Sequence, residues 1–385
     1  MILSVVIVSY NVKFFLEQCL SSLKKAIDGC HLTNGLTEVI IVDNASSDGS
    51  LDFLIPLFPA FHFIQNNQNT GFAKANNQVL SQCSGEFILF LNPDTILAED
   101  GLEKCLSFFK SAQDAGALGL HMIDGAGNYL KESKRGFPSP WASFFKVSGV
   151  VRLFPRSKLF SGYYMGHLHE ASPHAVDVLS GAFMMIKKTV LDITGGFDEQ
   201  FFMYAEDIDL SFRITQAGFQ NYYLSQTIII HFKGESTGKD FRHVKLFYNA
   251  MELFMKKHFY ERLSSFQFHL LTAGIRLRRI IAFLESLFKK SAGYSVTPLV
   301  VFINGESEEK KKWGKRLEEL KIPVSENEKE AEEIIHCESQ HRSWKSIITE
   351  IINNKNRYRY KFHGAGTHAA VGSHSSREKG EVFEI

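Results

Sequence analysis

Four short apolar runs near the start of the chain, each ending in polar residues, constrain the fold more than any other feature. They are LSVVIVS (3–9), EVIIVDN (38–44), FHFIQN (61–66) and EFILFLN (86–92), rich in β-branched and aromatic residues. Between the first two, Phe15, Leu16, Cys19, Leu20 and Leu23 recur at helical spacing; a short helix is predicted after Ser47-Asp48-Gly49 and another over Phe72 to Gln82. Continuous apolar strands alternating with amphipathic helices predict a parallel sheet covered on both faces. Ligands of such sheets sit beyond the carboxyl ends of the strands, so the polar residues there are where chemistry is to be sought.

The chain has 385 residues, more than one ordinary core, so two or three domains are expected. Lys+Arg 43 against Asp+Glu 42 leaves a net charge of +1, which supplies no field to recruit nucleic acid. Five scattered cysteines (Cys19, Cys30, Cys83, Cys105, Cys337) form no CxxC or Cys/His spacing and read as reduced thiols of a cytoplasmic chain. The run MILSVVIVSYN has no basic n-region and is expected to be a strand, not a signal peptide. Phe266 to Phe288 carries Arg276, Arg278 and Arg279 at its middle, which argues against a bilayer-spanning helix.

Residues 130–178 read as an irregular aromatic stretch containing FPSPW (137–141), LFP (153–155) and GYYMGHLH (162–169). A long irregular segment inside a domain is usually functional. Order resumes with a strand in LSGAFMMIKK, an acidic run from Tyr204 to Asp209, a helix ending at Gly218, strands at 221–224 and 227–232, and a helical region over 240–290. The expected division is therefore a catalytic unit 1–240, a helical segment 241–294 and a small α/β unit 295–385. The last contains PLVVFI, a charge-laced helix from Glu306 to Leu320, EIIHC, a helix from Trp344 to Ile352, RYRYKF and a Gly/His/Ser-rich tract; no motif in it assigns a role. The aromatic and basic segment 241–290 reads first as helices packed on the catalytic unit, and second as an interfacial helix with Arg and Lys at headgroups.

The polar clusters at strand ends are SYN (9–11), DNASSDGS (43–50), NTGFAKANN (69–77) and NPDT (92–95). Asp43 ends a strand, where its carboxylate can accept from a base N–H; the plainer reading is an Asx-turn. Asn69-Thr70-Gly71 can start a helix, with Gly71 permitting close approach of a ligand. Asp94, after Pro93, sits where a carboxylate can bind a divalent ion that completes its shell with substrate phosphates, or it is only part of a Pro-Asp turn. Farther on, Glu206, Asp207 and Asp209 crowd three negative charges behind Phe201, Phe202 and Tyr204. Such crowding in an apolar setting raises a carboxylate pKa, as a general base requires; helix-capping acids with an Asp209–Arg213 pair are the plainer alternative. His231 ends the strand before HFKGES, in a ligand position or a structural one.

Taken in order, SYN, VDNASSDGS, NTGFAKANN, LNPD, LSGAFMMIKK, GGFDEQFFMYAEDIDLSFR and HFKGES resemble the family-2 glycosyltransferases, in particular bacterial rhamnosyltransferase-like members, over roughly residues 1–260. The resemblance implies the GT-A fold, an α/β architecture whose Rossmann-like mixed sheet carries helices on both faces. It implies a nucleotide-diphosphate sugar donor, rhamnose among the candidate sugars, and a glycan or lipid-linked saccharide acceptor. Carried over by motif, Asp43 would contact the nucleobase, while Ser9, Tyr10, Asn11, Asn69, Gly71 and Phe72 would line the nucleoside. Asp94 would hold Mg²⁺ or Mn²⁺, His231 would reach the same metal or the diphosphate, Asp207 would be the base, and Glu206 its acidic neighbour. This chain has Asn92 where many members have Asp, so that position offers a ribose hydroxyl a hydrogen bond but contributes no charge to a metal site.

Those residues suit a single inverting displacement. No GxxxxGK[ST] loop is present to meet the charge growing on a departing diphosphate, and a bound cation can supply that stabilisation. A diphosphate leaves without the acid that a glycoside hydrolase needs. A peripheral place on the inner face of the cytoplasmic membrane would suit a lipid-linked acceptor. The competing readings are a catalytically silent sugar-nucleotide-binding module, which a degraded acidic cluster would favour, and a nucleotidyltransferase, which would carry a basic phosphate loop near its N-terminus.

Overall fold

The structure, a computed structural model, describes residues 1–137, 157, 162–233, 241–261, 264–288, 299–374 and 380–385. Residues 138–156 and 158–161 of the aromatic stretch, 234–236 of HFKGES, 289–298 and the end of the Gly/His/Ser-rich tract lie outside the described residues.

The first strand, β1 (Leu3–Ser9), is buried at every position, as its unbroken apolar run requires of a central strand. It is followed by α1 (Lys13–Asp28), β2 (Thr37–Asp43), α2 (Ser50–Leu57), β3 (His62–Gln65), α3 (Phe72–Asn77) and β4 (Phe87–Leu91). β1 pairs in parallel with β2 on one side, Ser9 opposite Asp43, and with β4 on the other, Ile7 opposite Leu91. β3 pairs in parallel with β2, so the carboxyl ends of all four strands share one edge of the sheet. Period-two alternation then sorts the side chains. Leu3, Val5 and Ile7 join the core beneath α1 and α4 (Gly101–Ser111), while Val6 and Val8 join Val79, Leu210 and Ile214 on the other face.

The sheet continues with β5 (Thr95–Leu97), β6 (Ala115–Ile123), β7 (His174–Val176), β8 (Phe183–Lys187) and β9 (Gln220–His231), in the order β3-β2-β1-β4-β8-β6-β9-β5, with β7 also on β9. β8 runs antiparallel to both β4 and β6, which makes the sheet mixed. Helices α5 (Lys188–Thr194) and α6 (Glu206–Gln216) sit between β8 and β9, and α7 (Phe241–Phe259) and α8 (Ser265–Phe288) follow. Among the described residues no helix is long and apolar enough to cross a membrane.

Two expectations about elements change. The strands read at 221–224 and 227–232 are one strand, β9, whose pairing with β6 slips between Leu120 and His121; the polar residues 225–227 are absorbed as an irregularity, not a turn. The helix read over Phe72 to Gln82 is α-helical only to Asn77. The Asn77 amide is committed elsewhere, donating to the Phe197 carbonyl (2.7 Å) and accepting from the Phe197 N–H (2.9 Å).

A second sheet is built by β10 (Val301–Asn304), β11 (Glu333–Cys337), β12 (Arg359–His363), β13 (Ala369–Gly372) and β14 (Glu381–Glu384), with α9 (Ser307–Glu319) and α10 (Trp344–Asn353) between strands. β10, β11 and β12 are parallel, and β13 and β14 extend the sheet antiparallel. This unit shares a core with the first one: Val12, Phe15, Ile230 and Phe232 pack with Trp344, Ile347, Ile351, Phe362 and Val371. Phe232 is the centre of that junction, 5.1 Å from Phe15 and 5.4 Å from Phe362 between ring centroids. Polar contacts close it. The Gln18 amide accepts from Gly364 N–H (2.7 Å) and donates to the Ala369 carbonyl (2.9 Å). Glu99 accepts from the N–H groups of Trp344 (2.6 Å) and Lys345 (3.0 Å), capping α10 from the other unit.

Candidate active site

Three groups of side chains stand at the carboxyl edge of the large sheet. The first surrounds the ends of β1 and β2. Asp43 is 1% exposed; its Oδ2 accepts from the Ser46 N–H (2.9 Å), forming the turn, while its Oδ1 is buried with no hydrogen-bond partner. The turn reading and the ligand reading of Asp43 therefore fall on different oxygens of one carboxylate. Ser9 Oγ beside it is likewise buried and unpartnered. An unsatisfied buried acceptor costs free energy, and a ligand N–H would relieve it. Tyr10 and Asn11 are half-buried at the same edge. Asn11, with φ 53°, donates its N–H to Ser46 Oγ (2.9 Å) and accepts from Ser47 N–H (2.7 Å), which pins the 43–50 loop against the SYN turn.

Asn44, which sequence reasoning passed over, ties this loop to the next. Its amide donates to Asn69 Oδ1 (3.0 Å) and accepts from Thr70 N–H (3.0 Å) and Asn66 Nδ2 (3.1 Å). Gly71 has φ +86°, and a Cβ there would lie 2.7 Å from the Phe202 carbonyl oxygen. The close neighbour that demands glycine is thus Phe202, whose carbonyl also accepts from Phe72 N–H (3.1 Å).

The second group comes from the turn after β4 and the end of β9. Asn92 N–H donates to the Ala182 carbonyl (2.9 Å), and its side-chain Nδ2 lies 3.4 Å from His231 Nε2. Antiparallel pairing sets His231 opposite Thr95 and brings its Nε2 within 3.4 Å of Asp94 Oδ1. Asp94 and His231 are 4% and 7% exposed, and His231 Nδ1 has no partner. Burial pushes the Asp94 carboxyl upward, but His231 and the backbone N–H groups of Asp94 and Lys233 outweigh it and hold the acid below its ordinary range. Among the described residues no three His, Cys, Asp or Glu side chains converge as a metal cage. A carboxylate oxygen and an imidazole nitrogen side by side at a crevice nonetheless fit a divalent ion that takes few protein ligands and completes its shell with phosphate oxygens and water.

The third group is the acidic pair. Tyr204 (φ 73°) and Ala205 (φ 64°) are both left-handed, a strained entry that turns the chain into α6 at Glu206. Asp207 Oδ2 accepts from Arg135 Nη2 (2.5 Å) and from the Gly181 N–H (3.2 Å), and its Oδ1 accepts from the Ile208 N–H (2.8 Å). Glu206 is buried with Oε2 unpartnered, and burial together with the Asp207 charge pushes its carboxyl up to about 8. Asp209, expected to crowd with them, faces the other way. It is fully buried and accepts from Arg213 Nε (2.8 Å) and Lys257 Nζ (2.7 Å), with His258 Nε2 at 2.6 Å. Burial would raise its carboxyl, but those three partners bring it down to about 2.

Residues 181 and 182 join the second and third groups: Gly181 N–H reaches Asp207, and the Ala182 carbonyl receives Asn92. A cavity of about 100 Å³ opens beside the acidic pair, lined by Arg135, Tyr163, Tyr204, Phe247, Met251 and Phe254 together with Glu206 and Asp207. Two of its walls were not foreseen. Arg135 lies 72 residues from its partner, and α7 supplies Phe247, Met251 and Phe254 from the segment read as packing or membrane-surface helix.

The family described as glycosyl transferase family 2 matches residues 4–191. An N-acetylglucosaminyl-diphospho-decaprenol L-rhamnosyltransferase of Mycobacterium tuberculosis is 30% identical over 251 residues, which span 62% of this chain and 78% of the relative. The rhamnosyltransferase WbbL of Escherichia coli K12 is 30% identical over 151 residues, 38% of this chain and 52% of the relative. Among solved structures, S. aureus TarS 1-349 in complex with UDP-GlcNAc superposes over 81% of this chain and 78% of its own, with a TM-score of 0.47 and 19% identity.

Proposed function

The chain belongs to glycosyl transferase family 2 and has the GT-A fold, and we propose that it moves a sugar from a nucleotide-diphosphate donor to an acceptor hydroxyl by one inverting displacement, with Asp207 as the base. The observation that carries this reading is the Gly181-Ala182 link, which ties Asp207 to the backbone of Asn92, two residues before Asp94, at the strand edge where Asp43 keeps an unpartnered oxygen. In this reading Asp43 accepts from the nucleobase. Ser9, Tyr10, Asn11, Asn69, Gly71 and Phe72 line the nucleoside, and Asn92 meets the ribose. Asp94 and His231 would hold Mg²⁺ or Mn²⁺, which when bound neutralises charge growing on the departing diphosphate. Asp207 takes the acceptor proton as the acceptor oxygen attacks from the opposite face of the sugar.

The names of two relatives support rhamnose as the transferred sugar, and the mycobacterial one supports a lipid-linked saccharide as acceptor. An exposed apolar edge on α8, where Leu277 and Ile280 are 59% and 54% exposed, supports peripheral contact with a membrane holding that acceptor. We read 1–240 as the catalytic unit, 241–294 as the helical segment that walls the acceptor side, and 295–385 as a brace. The test is a screen of nucleotide sugars, with and without Mn²⁺, for release of nucleoside diphosphate that depends on a lipid-linked saccharide. A donor that releases nucleoside diphosphate only with acceptor and cation present supports the reading. Release by none, with intact nucleotide binding, favours the silent binding module.

A further inference from the structure

Arg135 is fixed by its backbone before its side chain acts. Its N–H donates to the Val178 carbonyl (3.1 Å), and its own carbonyl accepts from Val178 N–H (2.9 Å). The next residue, Gly136, donates to the Tyr163 carbonyl (2.9 Å), and a Cβ there would lie 2.3 Å from the Gly162 carbonyl oxygen. Phe137 N–H then reaches Asp177 Oδ2 (3.1 Å). From this frame the guanidinium Nη2 donates to the Leu179 carbonyl (2.8 Å) and to Asp207 Oδ2 (2.5 Å), with the Arg135 and Asp207 side chains 12% and 14% exposed.

Two carboxyl groups, adjacent in sequence, line one cavity with Arg135, whose guanidinium is the one cation that lines it among the described residues. It touches Asp207, while Glu206 Oε2 stays buried without a partner. Among the described residues the other charged or titratable neighbours are otherwise engaged or uncharged. Tyr163 and Tyr204 are phenols, Asp177 is engaged by Phe137, Glu132 pairs with Lys233, and Asp209 on the far face of α6 is neutralised by Arg213, Lys257 and His258. Among the described side chains of α7, those that line the cavity are the uncharged Phe247, Met251 and Phe254. Two carboxylates side by side cannot both ionise cheaply, and a cation on one of them settles which does.

We propose that Arg135 is a positioning residue that divides the roles of the pair, holding Asp207 ionised as the base and leaving Glu206 protonated to donate a hydrogen bond to the acceptor. The proposal rests on the reading of Asp207 as base. When the acceptor oxygen bonds to the anomeric carbon, the bond from that carbon to the diphosphate oxygen breaks and its electron pair leaves with the diphosphate. The acceptor proton passes to Asp207. Arg135 transfers nothing; it keeps Asp207 charged and aimed until that moment, and it keeps Glu206 from competing for the proton.

The experiment is the pH profile of sugar transfer at saturating donor, with nucleoside-diphosphate affinity measured in parallel by calorimetry. Arg135→Gln removes the cation in contact with Asp207, so the acid limb of the transfer profile should move to higher pH. Nucleoside-diphosphate affinity should stay within about twofold. Arg135→Lys keeps the cation with a single point of contact and should give a smaller shift, and it carries the test if the Gln variant does not fold. Glu206→Gln should retain the acid limb and lose the basic limb that Glu206 ionisation produces. An acid limb that stays in place in both Arg135 variants overturns the proposal, as does a basic limb that survives Glu206→Gln. Asp207→Asn separates the layers: if it still transfers sugar, the base assignment falls; if it is dead while the Arg135 variants keep the wild-type acid limb, only the role of Arg135 falls.

Discussion

His231 stands across the β5–β9 pair from Thr95, and this register alone brings its Nε2 within 3.4 Å of Asp94 Oδ1. Neither residue reaches the other through local sequence; a strand that returns to the sheet edge after more than a hundred residues makes the pair. Asp94→Ala should therefore remove one of the two side chains proposed to hold a divalent ion. Calorimetry with nucleoside diphosphate should lose its Mn²⁺-dependent part, by at least about 10–100-fold in affinity, the range already seen when only an outer partner of a metal ligand is lost. Equal affinity with and without Mn²⁺ in the unaltered protein would remove the cation from the proposal.

Asp207→Asn preserves shape and hydrogen-bond reach but cannot take a proton. Transfer should fall by about 10²–10⁴, the usual worth of a positioned base, while binding of the donor nucleotide changes little. Rates measured by product release, beside calorimetric affinity, separate these two effects. A parallel loss of donor affinity would mark Asp207 as a structural anchor of Gly181.

Asp209 is more acidic in the folded chain, about 2, than its ordinary 3.8. It contributes stability that is fully present above 3.8 and is lost as pH falls through about 2. Asp209→Asn should lower stability at pH 7 by about 2–4 kcal/mol, near the lower end for a broken buried pair because Lys257 and Arg213 keep some access to water. In urea melts the gap between the two proteins should narrow steadily below pH 4. A constant gap would mean that α6 and α7 are held by packing alone.

Leu277 and Ile280 project from α8 while Arg276 and Arg279 of the same helix are turned to Glu252 and Asn249 on α7. If this edge meets lipid, sedimentation with anionic vesicles should be weak, should fall with salt, and should vanish in Leu277→Asp/Ile280→Asp. Sedimentation that is unchanged in the double variant places the contact elsewhere.

What the sequence made legible follows the range of each interaction. The buried run of β1, the strand-end position of Asp43 and the Asp209–Arg213 pair are local, set by periodicity over a few residues, and the strands and helices of the first hundred residues were readable for that reason. The pair formed by Arg135 and Asp207 spans 72 positions, and nothing in KRGF marks its arginine as a partner of an acid. The three acids of Glu206-Asp207-Ile208-Asp209 look alike as a string. The helix twist sends Asp209 to α7 and keeps Glu206 and Asp207 on the cavity, a separation visible only once α7 has docked. At Gly71 a glycine after Asn-Thr gives no hint of which backbone will pass it; the fold brings the Phe202 carbonyl oxygen within 2.7 Å of where a Cβ would stand.

The shared core of Val12, Phe15, Ile230 and Phe232 with Trp344, Phe362 and Val371 has a consequence for how the protein comes into being. Val12 follows the SYN turn by one residue, and Phe232 follows His231 by one. A ribosome delivers the catalytic sheet before Phe362 and Val371, and until they emerge this apolar flank is bare. Domains that fold as units during synthesis normally finish in order from the N-terminus. Here that flank of the sheet waits for strands made more than a hundred residues later, so a chain stalled or clipped past residue 300 would carry every proposed catalytic residue on a sheet whose flank has nothing to rest against.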